Sequence, residues 1–91
     1  MILAQEHGIA FTPHTWTNGM GVTANAHLAA GLADSPFLEY PFDPPEWDLA
    51  RRDYMMAEPL SVGTDGVISL SDAPGMGYAL AEDMLAKTRT G

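Results

Sequence analysis

The chain has 91 residues, enough for one small domain at most. Twelve acidic against four basic side chains give a formal net charge of −8. That balance excludes the Lys/Arg clustering needed to bind nucleic-acid phosphates or an anionic membrane surface. There is no cysteine, so a disulfide framework and a thiolate metal site are both excluded. A hydrophobic content of 46% is that of a folded chain.

No secretory signal is expected, because the apolar run Met1-Ile2-Leu3-Ala4 is broken by Gln5, Glu6 and His7 and lacks a basic start. The longest apolar-rich stretch, residues 20–33, contains Asn25 and His27 and is too short to span a bilayer. A soluble, cytoplasmic protein is the expectation. Residues 1–7 read as the end of a helix closed by Gly8 at C′. A helix this short seldom opens a domain, so the chain is expected to begin inside a longer protein.

Gly8 to Gly19 is the stretch that organises the rest. Ile9-Ala10-Phe11 is an uncharged apolar run, which suits a strand covered on both faces as in a parallel sheet. The strand spans residues 9–14, which puts His14 at its carboxyl end. In an α/β barrel catalytic side chains are presented there; the alternative is a packed or solvent-facing loop histidine. Residues 19–33 are expected to be a helix, N-capped by Thr17 or Asn18. Its apolar stripe is Met20, Ala24, Leu28 and Leu32. Gly19, Gly21 and Gly31 weaken it by roughly 1 kcal/mol each where interior. Asp34-Ser35-Pro36 stops it, and Phe37-Leu38-Glu39-Tyr40 is a second strand ended by Pro41. This order is the βαβ pattern of a parallel sheet. Two strands and two helices cannot cover both faces of a sheet, so the unit needs neighbours.

After Pro41 the texture changes. Pro44-Pro45 forbids helix or central strand, and Asp43, Glu46 and Asp48 read as a solvated turn without calcium-loop spacing. Asp48 to Met56 is a short helix or an extended crossing, with Arg51, Arg52 and Asp53 exposed. Residues 60–62 and 67–70 read as a hairpin around Gly63-Thr64-Asp65-Gly66. Asp72-Ala73-Pro74-Gly75 is a turn. A helix over 81–88 carries Glu82 and Asp83 first and Lys87 and Arg89 last, matching its macrodipole.

Thr12-Pro13-His14-Thr15-Trp16-Thr17-Asn18-Gly19 resembles the mandelate racemase/muconate lactonizing enzyme branch of the enolase superfamily. The resemblance continues through Ala26-His27-Leu28-Ala29-Ala30, Leu38-Glu39-Tyr40-Pro41, Asp65-Gly66 and Pro74-Gly75-Met76-Gly77. It covers essentially the whole chain and is to the carboxyl-terminal quarter of such an enzyme. The implied fold class is α/β, the last units of a modified TIM-type (β/α)7β barrel that is incomplete alone. Residues 1–42 end the barrel, with strand 7 at 9–14, its helix at 18–33 and strand 8 at 37–40. Residues 43–91 form a tail, with a hairpin and a short helix, that returns to the capping domain.

The resemblance implies a Mg²⁺-dependent enzyme that abstracts the proton α to a carboxylate, with His14 as general base or acid. Imidazole exchanges protons near neutral pH, and this superfamily uses a Lys or His base with Mg²⁺. Glu39 is then the strand-end carboxyl that contacts the substrate carboxylate or donates a proton, a role in which burial has to keep it protonated. The alternative for Glu39 is an exposed strand-end carboxylate. Trp16 either lines the pocket mouth or packs. His27 is expected as a partly buried helix residue facing the barrel, and His7 near a helix C-terminus has no chemistry assigned.

The family's metal ligands, the Asp that pairs with the His and the Lys-bearing strand all lie upstream, so this chain contributes no metal ligand. An acid-sugar dehydratase acting on a small carboxylate is the leading expectation, and a racemase or cycloisomerase is the alternative. The parent is expected to be a homo-oligomer. The isolated 91-residue chain is expected to be inactive and to fold poorly. From another class, the chain could be a stand-alone acidic module that binds a partner through its uncovered sheet.

Overall fold

The structure, a computed structural model, describes residues 1–32 and 35–91. Among these, four helices form in chain order: α1 (Ile2–Glu6), α2 (Gly19–Ala30), α3 (Leu49–Arg52) and α4 (Glu82–Thr88). Helix α1 buries none of its residues. It ends as its sequence requires: Gly8 takes φ +63°, and its N–H donates to Gln5 O at 3.0 Å. Only glycine enters that left-handed region without penalty.

Helix α2 is capped by Asn18, whose Oδ1 accepts the Gly21 N–H at 3.2 Å. Its buried residues are Gly19, Val22, Thr23 and Ala26, not the Met20–Ala24–Leu28–Leu32 stripe expected from the sequence. The segments of this chain able to cover the helix reach its Val22 face. Met56 and Leu60 close on Val22, and Met20, Leu38, Ile68 and Tyr78 pack around that nucleus. Leu28 stays 36% exposed. Of the three glycines, only Gly21 is interior, since Gly19 is the first helical residue and Gly31 the cap. The helix therefore ends before the expected 31–33. Of the expected stop, Asp34 lies outside the described residues, as does Ala33.

The two expected strands are not assembled into a sheet. Among the described residues no backbone hydrogen bond links 9–14 with 37–40. A strand pair needs further strands or a covering layer to persist, and here the apolar side chains lack that cover. Ile9 is 60% and Phe37 74% exposed.

In the tail, Asp43 and Trp47 exchange backbone hydrogen bonds at 2.9 Å around a cis Pro44–Pro45 peptide, with both acidic neighbours in solvent as expected. Asp48 caps α3 by accepting the Arg51 N–H at 2.9 Å. The expected hairpin is reduced to its turn: Gly63 N–H reaches Val67 O at 2.8 Å, but the flanks are not laddered. Met56 and Leu80 pair antiparallel instead, through Ala57 N–H to Ala79 O and Ala81 N–H to Met55 O, each 2.9 Å. Helix α4 has the expected charge order, with Lys87 Nζ 3.6 Å from Asp83. Among the described residues no helix is long and apolar enough to cross a membrane.

Candidate functional site

His14 and Glu39 come from different segments and meet. Pro13 and Thr15 on either side of His14 are buried, which turns the intervening imidazole outward. Its side chain is 82% exposed. In the 37–40 segment, Leu38 packs on the core and Tyr40 on Arg52. Alternation along an extended chain then sends Glu39 to the opposite side.

Glu39 Oε2 lies 2.8 Å from His14 Nδ1 and accepts the Thr15 N–H. With its proton on Nδ1, His14 donates to the carboxylate and leaves Nε2 as a free base open to solvent. The same oxygen of Glu39 thus serves both contacts. Its Oε1 takes no hydrogen bond among the described residues. An imidazole held by a carboxylate is an arrangement able to move a proton.

A second polar cluster lies behind the pair and corrects the expected exposure of Arg52 and Asp53. Arg52 is 0% and Asp53 5% exposed. Arg52 Nε and Nη2 donate to Asp53 Oδ1 and Oδ2, each at 2.6 Å. Nη2 also donates to Leu60 O at 2.6 Å and Nη1 to Pro41 O at 3.3 Å. Asp53 Oδ2 accepts the Leu60 N–H at 2.9 Å. The guanidinium stacks 4.2 Å from the centre of the Tyr40 ring, and Tyr40 Oη donates to Leu60 O at 2.7 Å. Burial alone disfavours the charged guanidinium, but the Asp53 and Tyr40 side chains outweigh it and push the Arg52 pKa up. The other expected exposed residue, Arg51, is exposed and lies over Trp47. Adjacent Arg52 and Asp53 carry no periodicity that marks burial. The one signal is the scarcity of basic residues in so acidic a chain.

The remaining residues singled out in the sequence stand apart. Trp16 is 54% exposed and makes no side-chain hydrogen bond among the described residues. His27 is exposed rather than partly buried. Its Nε2 lies 2.9 Å from Met76 O, which ties α2 to the Pro74-Gly75-Met76-Gly77 turn. His7 Nδ1 lies 2.8 Å from Leu3 O at the end of α1. Among the described residues no three His, Asp or Glu side chains converge to hold a metal ion. One imidazole and one carboxylate already bonded to each other do not make an octahedral oxygen site. The residues present therefore do not fit a Mg²⁺ ion by themselves.

The arrangement is an incomplete α/β unit bearing an exposed histidine held by a carboxylate. The chain belongs to the enolase C-terminal domain-like family, whose model matches residues 1–84. It is also 31% identical over 91 residues to D-galactarolactone cycloisomerase of Agrobacterium fabrum, a similarity covering 96% of this chain. The chain spans 24% of that protein's length. No solved structure matches the chain.

Proposed function

We propose that this chain is the closing part of an enzyme that abstracts the proton α to a carboxylate, with His14 as the general base. In this reading residues 1–42 complete a (β/α)7β barrel and residues 43–91 return to a capping domain. Carboxylates outside these 91 residues supply the Mg²⁺ site. The observation that carries the reading is the 2.8 Å His14–Glu39 contact in a chain of this family. The name of the Agrobacterium relative favours a sugar-acid lactone as substrate and cycloisomerisation as the outcome. Dehydration of an acid sugar is the second outcome of the same proton abstraction.

Glu39 holds the Nδ1 proton of His14, so Nε2 presents its lone pair to the substrate Cα–H. When Nε2 takes the proton, the imidazolium forms beside the carboxylate, which stabilises it as an orienting acid does in a catalytic triad. The Nε2–H can then return the proton to the oxygen that departs from the β carbon. That oxygen belongs to the ring ester in cycloisomerisation and to hydroxide in dehydration. Glu39 Oε1, which takes no hydrogen bond among the described residues, faces the substrate's polar groups. Trp16, exposed two residues beyond His14, contributes apolar surface at the pocket mouth.

The test is a chimera in which this chain replaces the matched segment of the Agrobacterium enzyme. Mg²⁺-dependent exchange of the substrate α-proton with deuterated solvent is followed by NMR. Exchange is expected, and His14→Asn should slow it by about 10²–10⁴-fold, the usual contribution of a general base. Undiminished exchange in the variant, or turnover by the 91-residue chain alone, would sink the proposal.

A further inference from the structure

We propose that the buried Arg52–Asp53 pair is the positioning element of the His14–Glu39 pair. The inference rests on the chemical reading of those two residues given above. The segments that carry them both end on the same ion pair. On one side, Arg52 Nη1 reaches Pro41 O at 3.3 Å and its guanidinium stacks 4.2 Å from the Tyr40 ring centre. Those are the two residues that follow Glu39. On the other side, Asp53 Oδ1 and Met56 Sδ press so closely on Gly19 that a β-carbon there would overlap both. Gly19 is the first residue of α2 and ends the segment that begins at His14. Thr15 N–H and His14 Nδ1 then converge on Glu39 Oε2.

Stability alone does not account for this arrangement. A buried ion pair is often no more stabilising than apolar residues of the same volume, because desolvation offsets its attraction. What apolar residues cannot reproduce is direction. The planar guanidinium fixes two backbone carbonyls and both carboxylate oxygens of Asp53 at set angles. Asp53 adds the Leu60 N–H on the same oxygen that Arg52 Nη2 holds. The segment at 39–41 and the start of α2 are thus held in one frame. The His14–Glu39 contact, exposed and weak by itself, forms because its two supports cannot drift apart.

The test reads geometry in the full 91-residue chain and needs no turnover. The Thr15 amide, donating to a carboxylate, should give a downfield proton resonance protected from solvent exchange. It should be lost on Glu39→Ala, which removes the acceptor. Arg52→Lys keeps the charge but not the fork, and should lose the resonance. The double change Arg52→Met with Asp53→Asn leaves no unpaired buried charge, so it should retain the helical signal of the wild type while also losing the resonance. Leu85→Ala removes half-buried packing from α4, which makes no hydrogen bond to the clamp, and should lower the unfolding midpoint with the resonance intact.

Retention of the Thr15 resonance in the double variant, or its equal loss in Leu85→Ala, overturns the proposal. So does its absence from the wild-type chain. Failure here leaves the His14→Asn result in the chimera untouched, and failure there leaves these spectra unchanged.

Discussion

His14 and Glu39 touch, yet they respond differently to substitution. His14 is 82% exposed on its side chain and is bonded only to Glu39 among the described residues. An exposed pair of this kind contributes about 0–1 kcal/mol. His14→Asn is therefore expected to move stability by no more than about 0.5 kcal/mol in urea unfolding, which separates the chemical role proposed for it from a structural one. Glu39→Ala also strands the N–H of Thr15, a residue only 7% exposed. An unsatisfied buried donor costs about 1–3 kcal/mol, so this variant should be measurably less stable in the same titration. Gly19 and Gly31 form a second contrasting pair. Alanine at Gly31 meets only ordinary contacts at 3.6 Å and should stabilise by about 0.4–1 kcal/mol. Alanine at Gly19 drives its β-carbon into the Asp53 carboxylate. Overpacking costs about 1–3 kcal/mol, which outweighs a helix-propensity gain of at most about 1 kcal/mol. Thermal melts of the two variants should shift in opposite directions.

At the scale of elements, α2 and α4 were legible because their signals are local. Asn18 caps α2 through its own side chain, and the charge order of α4 acts within one helix. Asn18→Ala should cost about 0.5–2 kcal/mol, read as lost helicity and a lower melting midpoint. The contact of His14 with Glu39 was not legible: the sequence placed each at the end of an expected strand, with separate roles toward a substrate, and the strands themselves are unpaired. Pairing is non-local, and alternation in a sequence cannot supply a partner that the chain lacks. The buried face of α2 was misread for the same reason: it is set by which side Met56 and Leu60 reach, not by periodicity. Arg52 and Asp53 were illegible because adjacent charges ordinarily point to solvent, and only the fold returns Pro41 and Leu60 to them. The raised pKa of Arg52 has a signed consequence. A group whose pKa rises on folding contributes fully below its unfolded value and loses that contribution only as pH climbs through the folded one. Going from pH 7 to pH 10 should therefore leave Arg52's contribution unchanged, read as an equal cost of the Arg52→Met, Asp53→Asn double change in urea unfolding at the two pH values.

The molecule as a whole has too little core for its surface. Val22, Ala26, Met56 and Leu60, with Pro13 and Pro41, are the buried apolar residues among those described, while Ile2, Leu3, Ile9, Phe37 and Val67 are each more than half exposed. The radius of gyration is 14.7 Å, against about 12 Å for a compact chain of this length. An open groove of about 380 Å³ runs beside α2, lined in part by Ala29, Phe37, Leu38, Val67 and Ile68. Such a surface drives association, because burying one Phe contributes about 1.5–3 kcal/mol, a large part of a small chain's total. Phe37, at 74% exposure, separates folding from association. Phe37→Ser removes almost nothing from the chain's own core, so its circular dichroism melt should match the wild type at low concentration. Light scattering at high concentration should fall, because the residue's apolar area is offered outward. If the parent is an enzyme whose other segments cover this face, Phe37→Ser in the chimera should lower assembly and α-proton exchange together. A sharp, concentration-independent melt of the wild-type chain, with scattering unchanged by the substitution, would show instead a unit that stands alone, and the reading as a piece of a barrel would fall.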